Sequence, residues 1–296
     1  MAAIRGEPVD RIPVAQHNYP FAARHVGITL REFSNNPEKA AQALADTAYD
    51  FGYDCIIAVL EEGPLAEAMG AGIESVEDQP GRVARPAVRS LHDVPGLPIP
   101  DPTTDGRLPQ WLETTRLLRS KVGDDLAIMA RADQGPFGLA FLLEDPQDFL
   151  MDLLTEEEPV IRAAIEHCAK AGLPFARAQL AAGADLTSIG DSPAGQSVVS
   201  PEIYRRFAQP YERDYKVGLG SDVLSLHICG DTDKILGGMV DTGCEVLELD
   251  YPNDLDEVFK SVDGRACVWG NLDRHSRRYC WMVMFSSHRV MLSGRE

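Results

Sequence analysis

The sequence predicts an α/β fold in which parallel strands alternate with helices. Seven apolar segments typical of strands are separated by stretches of helical length and pattern. The segment 55–60 is apolar throughout, as is typical of a strand buried on both faces of a parallel sheet. The predicted strands begin near residues 12, 55, 126, 185, 223, 246 and 266.

The number of strands points toward a (β/α)8 TIM barrel without completing one. A closed barrel of this class needs eight βα units, and seven are recognisable. We therefore expect a barrel over residues 1–273 that lacks a normal eighth βα unit, or one whose eighth strand is hidden. A chain of 296 residues is compatible with a single barrel domain.

The helices predicted between the strands have recognisable ends. Asn36 is placed to cap the first long helix, Pro37 takes its first position and Gly52 ends it. A Pro-rich excursion over 81–109 interrupts the repeat after the second strand. Further helices are predicted near 110–121, 145–154, 156–171, 174–182, 200–217, 232–242 and 254–261.

Residues 274–296 form an atypical basic tail. They contain five arginines and one acidic residue, whereas the whole chain has a net charge of −18. Only 281–285 could form a short strand. We favour a change of reading frame or a truncation of the gene as the origin of the tail, with a basic interaction tail as the alternative.

Composition narrows the classes of function. The net charge of −18 argues against nucleic acid or an anionic membrane as a partner, since both attract basic proteins. There is no signal-peptide pattern and no apolar run long enough to span a bilayer. The six cysteines form no CxxC pair and no dense framework, which favours a reducing, cytoplasmic location.

His227 and Cys229 stand two positions apart at the end of the predicted strand 223–228. Side chains at i and i+2 of a strand share a face, and chemistry in α/β folds concentrates at the carboxyl ends of strands. One imidazole and one thiolate are half of a tetrahedral zinc site. The pair therefore predicts metal binding, with chance occurrence as the alternative.

Other strand ends also carry polar residues. Glu61 and Glu62 follow the second strand and could serve acid/base or metal chemistry, or simply begin a solvated helix. The turn at Gly135 and Pro136 exposes backbone and is suited to form a wall of a ligand pocket. Three residues at later strand ends could orient a substrate or cap the next helix: Asp191, Asp250 and Asn271.

Taken in order, the motifs resemble the uroporphyrinogen decarboxylase superfamily over about residues 4–273. The resemblance implies a (β/α)8 barrel, in agreement with the strand count. The motifs are IRGEPVDRIPV, Gly135-Pro136-Phe137, AGAD at 182–185, Asp191-Ser192, Ser200-Pro201-Glu202, His227-Ile228-Cys229-Gly230, Asp241-Thr242-Gly243 and Gly270-Asn271-Leu272-Asp273.

The HxCG motif is similar to that of the methyltransferase branch, which comprises methylcobamide:coenzyme M methyltransferases and the methyltransferases of corrinoid-dependent O-demethylation. The resemblance implies zinc bound by His227, Cys229 and a late cysteine. Only Cys280 follows the last predicted parallel strand, and it lacks the usual Gly-Cys-Glu context. Glu61 or Glu62 could complete the shell. The implied partners are a corrinoid protein and a small-molecule methyl donor or thiol acceptor.

Two alternatives remain. The first is a uroporphyrinogen decarboxylase, but the Arg-rich segment of that branch corresponds here to VAQHNYPFAARHVG, with Arg24 alone, and its essential Asp falls near Glu61. The second is a non-catalytic, truncated barrel. Its open strand edges would favour a homodimer unless the tail covers them.

Overall fold

The computed structural model describes residues 1–17, 19–75 and 79–270, together with the backbone of 282–285. Seven strands of the described chain run parallel around a closed barrel. They are β1 (Val14–Gln16), β2 (Cys55–Ala58), β5 (Ala127–Gln134), β6 (Leu186–Gly190), β7 (Leu224–Ile228), β8 (Val246–Leu249) and β9 (Cys267–Gly270).

The barrel is closed by a strand from the tail, β10 (Met282–Phe285). This strand runs antiparallel to both neighbours, with Val283 opposite Val14 of β1 and opposite Gly270 of β9. The prediction of a barrel lacking a normal eighth βα unit is therefore confirmed. The edges of β1 and β9 are both paired, so the open edges that would favour a dimer are not left exposed. The origin of the tail in a frame change stays a prediction.

Helices and short turns surround the barrel. The helices are α1 (Tyr19–His25), α2 (Leu30–Asn35), α3 (Pro37–Phe51), α4 (Pro64–Ala68), α5 (Leu108–Val122), α6 (Pro136–Leu143), α7 (Pro146–Thr155), α8 (Glu158–Ala181), α9 (Pro201–Ile203), α10 (Gln209–Leu219), α11 (Leu236–Asp241) and α12 (Leu255–Val262). A π-helical turn, Tyr204–Ala208, joins α9 to α10. None of the helices in the described ranges has the length and apolarity needed to cross a membrane.

Two local predictions were wrong. The helices expected at 156–171 and 174–182 are the single helix α8, which continues through Pro174 because Ala171, Phe175 and Ala176 are packed in the core. Helix α11 begins at Leu236, later than expected; Asn253 Oδ1 accepts from the backbone N–H of Thr232 at 2.9 Å in the segment before it. The excursion over 81–109 begins with β4 (Arg82–Arg85), which pairs antiparallel with β3 (Gly72–Glu74).

The interior of the barrel changes from apolar to polar along its axis. At the amino end, Cys55, Leu186 and Trp269 line an apolar pocket together with the first residues of the chain. At the carboxyl end, register places polar residues opposite one another. Arg131 pairs with Ser188, and His227 pairs with Glu248. Paired residues of neighbouring strands face the same side, so these side chains lie together inside the barrel. We call the opening at the carboxyl ends of the strands the mouth, and the polar region just below it the upper interior.

Candidate metal centre at the mouth of the barrel

The two predicted metal ligands of β7 lie together at the mouth. His227 Nε2 and Cys229 Sγ are 3.0 Å apart. The ring of His227 is 23% exposed, and Cys229 is exposed. Nitrogen and sulfur ligands of a tetrahedral zinc ion stand about 3.6 Å apart, given the usual bond lengths. A shift of about half an ångström in one side chain would therefore admit the ion.

A buried carboxylate lies behind the ring of His227. Glu248, which is 1% exposed, places Oε2 at 3.5 Å from His227 Nδ1. Its Oε1 accepts a hydrogen bond of 2.6 Å from the Ser225 hydroxyl. A carboxylate that faces Nδ1 favours the tautomer with its proton on Nδ1 and its lone pair on Nε2, the nitrogen that would bind a metal. Sequence reasoning missed Glu248; an acidic residue inside the apolar strand VLEL was the available signal.

The turn that carries Cys229 is fixed by side chains from two other strand ends. The backbone N–H of Cys229 donates to Ser192 Oγ at 3.2 Å, and that of Gly230 donates to Asp250 Oδ2 at 3.1 Å. The other oxygen of Asp250 accepts from the Tyr251 N–H at 2.9 Å. Asp250, a predicted site residue, thus lies beside the His–Cys pair and holds its loop.

Three further predicted residues meet on the β5–β6 side. Asp191 is fully buried and accepts from the backbone N–H of Gly138 in the first turn of α6. Pro136 is the first residue of that helix. A Cβ added to Gly135 would lie 2.5 Å from the Asp191 carboxyl carbon, so only glycine permits this approach. Asp191 therefore caps the helix of the neighbouring unit and fixes the Gly135-Pro136 turn.

A second buried carboxyl, Glu212, lies against Asp191. Glu212 of α10 is fully buried, is hydrogen-bonded to Asp191, and accepts from the Tyr204 hydroxyl at 2.8 Å. Burial, and then the charge of Asp191, raise the pKa of Glu212 well above its ordinary value. Burial also raises the pKa of Asp191 to about 7. One proton held between the two carboxyls satisfies both. Glu212 left no signal in the sequence beyond its place in a helix.

Glu61 is an ion-pair partner within the structure. It is 4% exposed, its Oε2 accepts from the guanidinium of Arg107, and its Oε1 accepts from Ser75 Oγ at 3.0 Å. Arg107 also binds Glu67 at 2.7 Å. The alternative of a solvated helix start is therefore wrong for Glu61. Its neighbour Glu62 accepts a hydrogen bond of 3.2 Å from Gln134 at the end of β5.

Asp133 joins the loop after β2 to the end of β5. Its two carboxylate oxygens accept from the N–H groups of Gly63 and Leu65 at 3.0 and 2.9 Å. Burial raises the pKa of Asp133 to about 7, although both N–H donors act to lower it. The residue has a φ of +69°, a strained value for a side chain other than glycine. Sequence reasoning did not single it out.

The metal site is incomplete within the described residues. No group of three or more histidine, cysteine, aspartate or glutamate side chains in the described ranges is arranged to hold a metal ion. Cys280 and Asn271 lie outside the described residues, so the predicted third ligand and the predicted polar residue after β9 stay predictions. What the described chain brings together is one imidazole and one thiol, with the Glu248 carboxylate 3.5 Å from the imidazole.

A family profile described as uroporphyrinogen decarboxylase (URO-D) matches residues 1–276. The chain belongs to this family. Among curated relatives, methylcobamide:CoM methyltransferase MtaA of Methanosarcina barkeri is 32% identical over 280 residues, covering 92% of this chain and 80% of the relative. MtbA of Methanosarcina mazei, also named a methylcobamide:CoM methyltransferase, is 28% identical over 279 residues with the same coverage.

Uroporphyrinogen decarboxylases are also similar to this chain. The uroporphyrinogen decarboxylase of Chlorobium phaeobacteroides is 24% identical over 292 residues, covering 92% of this chain and 80% of that protein. A solved structure described as a methyltransferase from Methanosarcina mazei superposes with a TM-score of 0.86 at 27% identity. The superposition covers 93% of this chain and 82% of the solved chain. The resemblance to the methyltransferase branch and the barrel fold are both confirmed.

Proposed function

We propose that this URO-D family member is a zinc-dependent methyltransferase that moves a methyl group between a corrinoid protein and a thiol or methoxy substrate. The observation that carries the proposal is the His227–Cys229 pair at the carboxyl end of β7, with Nε2 and Sγ 3.0 Å apart and one of them exposed. The two methyltransferase relatives named above support this chemistry over decarboxylation.

The donor set fits zinc. His227 Nε2 and Cys229 Sγ would be two ligands, Cys280 is proposed as the third, and one position would stay open for the substrate. Zinc bound there would stabilise a substrate thiol as thiolate at neutral pH, or polarise the oxygen of a methoxy group. Glu61 is less suited to complete the shell because its carboxylate is engaged by Arg107 and Ser75.

The protein's own residues would position the reactants. Glu248 keeps the ring of His227 oriented, and Asp250 holds the loop that carries Cys229. Asp191 fixes the Gly135-Pro136 turn, which we propose as a wall of the substrate pocket. Direct roles of Asp191, Asp250 and Asn271 in orienting the substrate remain part of the proposal.

The exposed position of Cys229 suits a methyl group that is carried on another protein. A corrinoid bound to its own protein can approach only from the open face of the barrel, and the His–Cys pair lies there. We also infer a cytoplasmic location, since the five cysteines in the described residues are free thiols.

Elemental analysis of purified protein tests the proposal. Wild type should contain about one zinc per chain, and Cys229→Ser should lower zinc affinity at least about 10-fold because it removes one thiolate ligand. Cys280→Ser should have the same effect if that residue is the third ligand. Cys244→Ala, which removes a buried thiol away from the mouth, is the control and should retain zinc.

Activity is then measured as transfer of a methyl group from methylcobalamin to a thiol. Zinc-free wild type that decarboxylates uroporphyrinogen would contradict the proposal in favour of the decarboxylase alternative. Wild type that holds zinc but transfers no methyl group to any thiol, and takes none from a methoxy compound, would favour a non-catalytic barrel.

A further inference from the structure

A buried guanidinium in the upper interior of the barrel has no anionic partner. Arg131 of β5 is 5% exposed. Its Nη1 donates to Ser188 Oγ at 3.2 Å, and its buried Nε has no hydrogen-bond acceptor among the described residues. No carboxylate of the described chain lies within 4.0 Å of this guanidinium. A buried charge without a counterion is costly, which indicates that a ligand supplies one.

The acidic groups that lie near Arg131 form hydrogen bonds with other partners. Both oxygens of Asp133 accept from backbone N–H groups of the loop after β2. Asp191 accepts from Gly138 and shares a proton with Glu212. These carboxyls influence Arg131 through space but do not contact it.

A neighbouring histidine, His17, stacks against the ring of His227, with ring centroids 6.4 Å apart. Its Nε2 is buried without a partner in the described chain. Arg131 is the guanidinium available to an anion in this part of the interior.

The guanidinium lies close to the candidate metal pair. A Cβ added to Gly190 would stand 2.0 Å from Arg131 Nη2, so the guanidinium rests directly against that glycine. Gly190 pairs in register with His227 on the adjacent strand. Neighbouring strands are about 4.8 Å apart, so a molecule only a few bonds long can span from Arg131 to the His–Cys pair.

We propose that Arg131 and Ser188 bind a carboxylate at the far end of the small molecule whose thiol or methoxy group is presented to His227 and Cys229. The position of the reacting end rests on the proposed function; the carboxylate site rests on Arg131 alone. The planar fork of a guanidinium matches the two oxygens of a carboxylate. A sulfonate has a third oxygen, which the two-donor fork of the guanidinium does not engage. The substrate class is therefore a short carboxylic acid that carries a thiol or methoxy group.

Anion binding to zinc-free protein tests the site independently of methyl transfer. At constant ionic strength, acetate should raise the melting temperature of wild type more than methanesulfonate does, and Arg131→Gln should abolish the acetate effect. Arg116→Gln removes an exposed arginine of α5 that is paired with Glu113, and should respond to acetate as wild type does. Ser188→Ala should weaken the effect without removing it.

Titration of zinc-loaded protein tests the substrate class. We expect 3-mercaptopropionate to bind wild type at least about 10-fold more tightly than neutral 2-mercaptoethanol, because a charge-assisted hydrogen bond is gained. It should also bind more tightly than 2-mercaptoethanesulfonate, whose third oxygen the fork of the guanidinium does not engage. Arg131→Gln should make the carboxylate and neutral thiols equivalent. Should that variant not fold, Arg131→Lys keeps the charge without the fork and should retain only part of the preference.

Three results would overturn the carboxylate site. These are equal acetate responses in wild type and Arg131→Gln, equal or tighter binding of the sulfonate, and no preference for the acid over the neutral thiol. An acetate effect that depends on Arg131 in a protein without methyl-transfer activity would leave the site standing while the proposed function fails. Methyl transfer at the same rate to thiols with and without a carboxylate would leave the proposed function standing while the carboxylate site fails.

Discussion

The two sides of the barrel mouth use buried acidic residues in different ways. On the β5–β6 side, Asp133 and Asp191 accept hydrogen bonds from backbone N–H groups of neighbouring loops. On the β7–β8 side, Glu248 directs one oxygen at the ring of His227, beside the exposed Cys229. All three carboxyls are at most 2% exposed.

The difference shows that burial at a strand end does not by itself mark a catalytic carboxylate. An acid whose oxygens are taken by backbone donors fixes the position of a loop. An acid that faces an imidazole sets which ring nitrogen is free to bind a metal. Mutation on the β5–β6 side should therefore lower the free energy of unfolding, and mutation on the β7–β8 side should lower the affinity for metal.

The largest expected effect is on the β5–β6 side. Asp191→Ala removes the acceptor of the first turn of α6 and leaves the buried Glu212 without its proton-sharing partner. Breaking such a buried network should lower the free energy of unfolding by about 3 kcal/mol or more. Urea unfolding followed by circular dichroism measures this loss.

Asp145→Ala is the matched control. Asp145 caps α7 from an exposed position, accepting from the Gln147 N–H at 2.9 Å. Its loss should cost about 1 kcal/mol, as is usual for an N-cap. If both variants lost the same free energy of unfolding, Asp191 would contribute no more to stability than an exposed helix cap.

The sequence predicted the elements that depend on local pattern. Seven parallel strands follow from apolar segments of the right length, and the shared face of His227 and Cys229 follows from the two-residue period of a strand. The short strand expected at 281–285 does form, but its antiparallel direction depends on the gap between β1 and β9, which no local pattern encodes.

The residues that were missed depend on register between distant segments. Glu248 faces His227 because β7 and β8 pair at that level, and Arg131 rests against Gly190 because β5 and β6 do. Glu61 is held by Arg107, which is 46 residues away in the sequence. A charged residue inside an apolar strand is a usable signal for an interior site, but its partner can be read only from the assembled barrel.

An intermediate effect is expected on the β7–β8 side. Glu248→Gln removes the carboxylate that orients His227, and should weaken zinc binding about 10- to 100-fold, the usual effect of losing such a support. Competition with a chromophoric chelator measures the affinity. Glu61→Gln is the matched variant, since Glu61 is equally buried but bound to Arg107. It should leave zinc affinity unchanged and lower the free energy of unfolding instead; the opposite pattern would reverse the assignment of the two sides.

The smallest effect is a pH dependence on the β5–β6 side. Because the pKa of Glu212 is raised above its unfolded value of about 4.5, folding takes up a proton at higher pH. The corresponding stability is fully present below pH 4.5 and is lost as the pH rises toward the folded pKa. One such group contributes a slope of up to about 1.4 kcal/mol per pH unit.

Glu212→Gln should remove this slope, because the amide stays uncharged and can still donate to Asp191 and accept from Tyr204. Urea unfolding at pH 6 and pH 8 should therefore show a smaller difference for the variant than for wild type. Some slope will remain, since burial also raises the pKa of Asp191 and of Asp133. Glu202→Gln alters an exposed carboxylate of α9 and should keep the full wild-type slope. If the slope of Glu212→Gln matched that of Glu202→Gln, the proton on this side of the mouth would be held elsewhere than between Asp191 and Glu212.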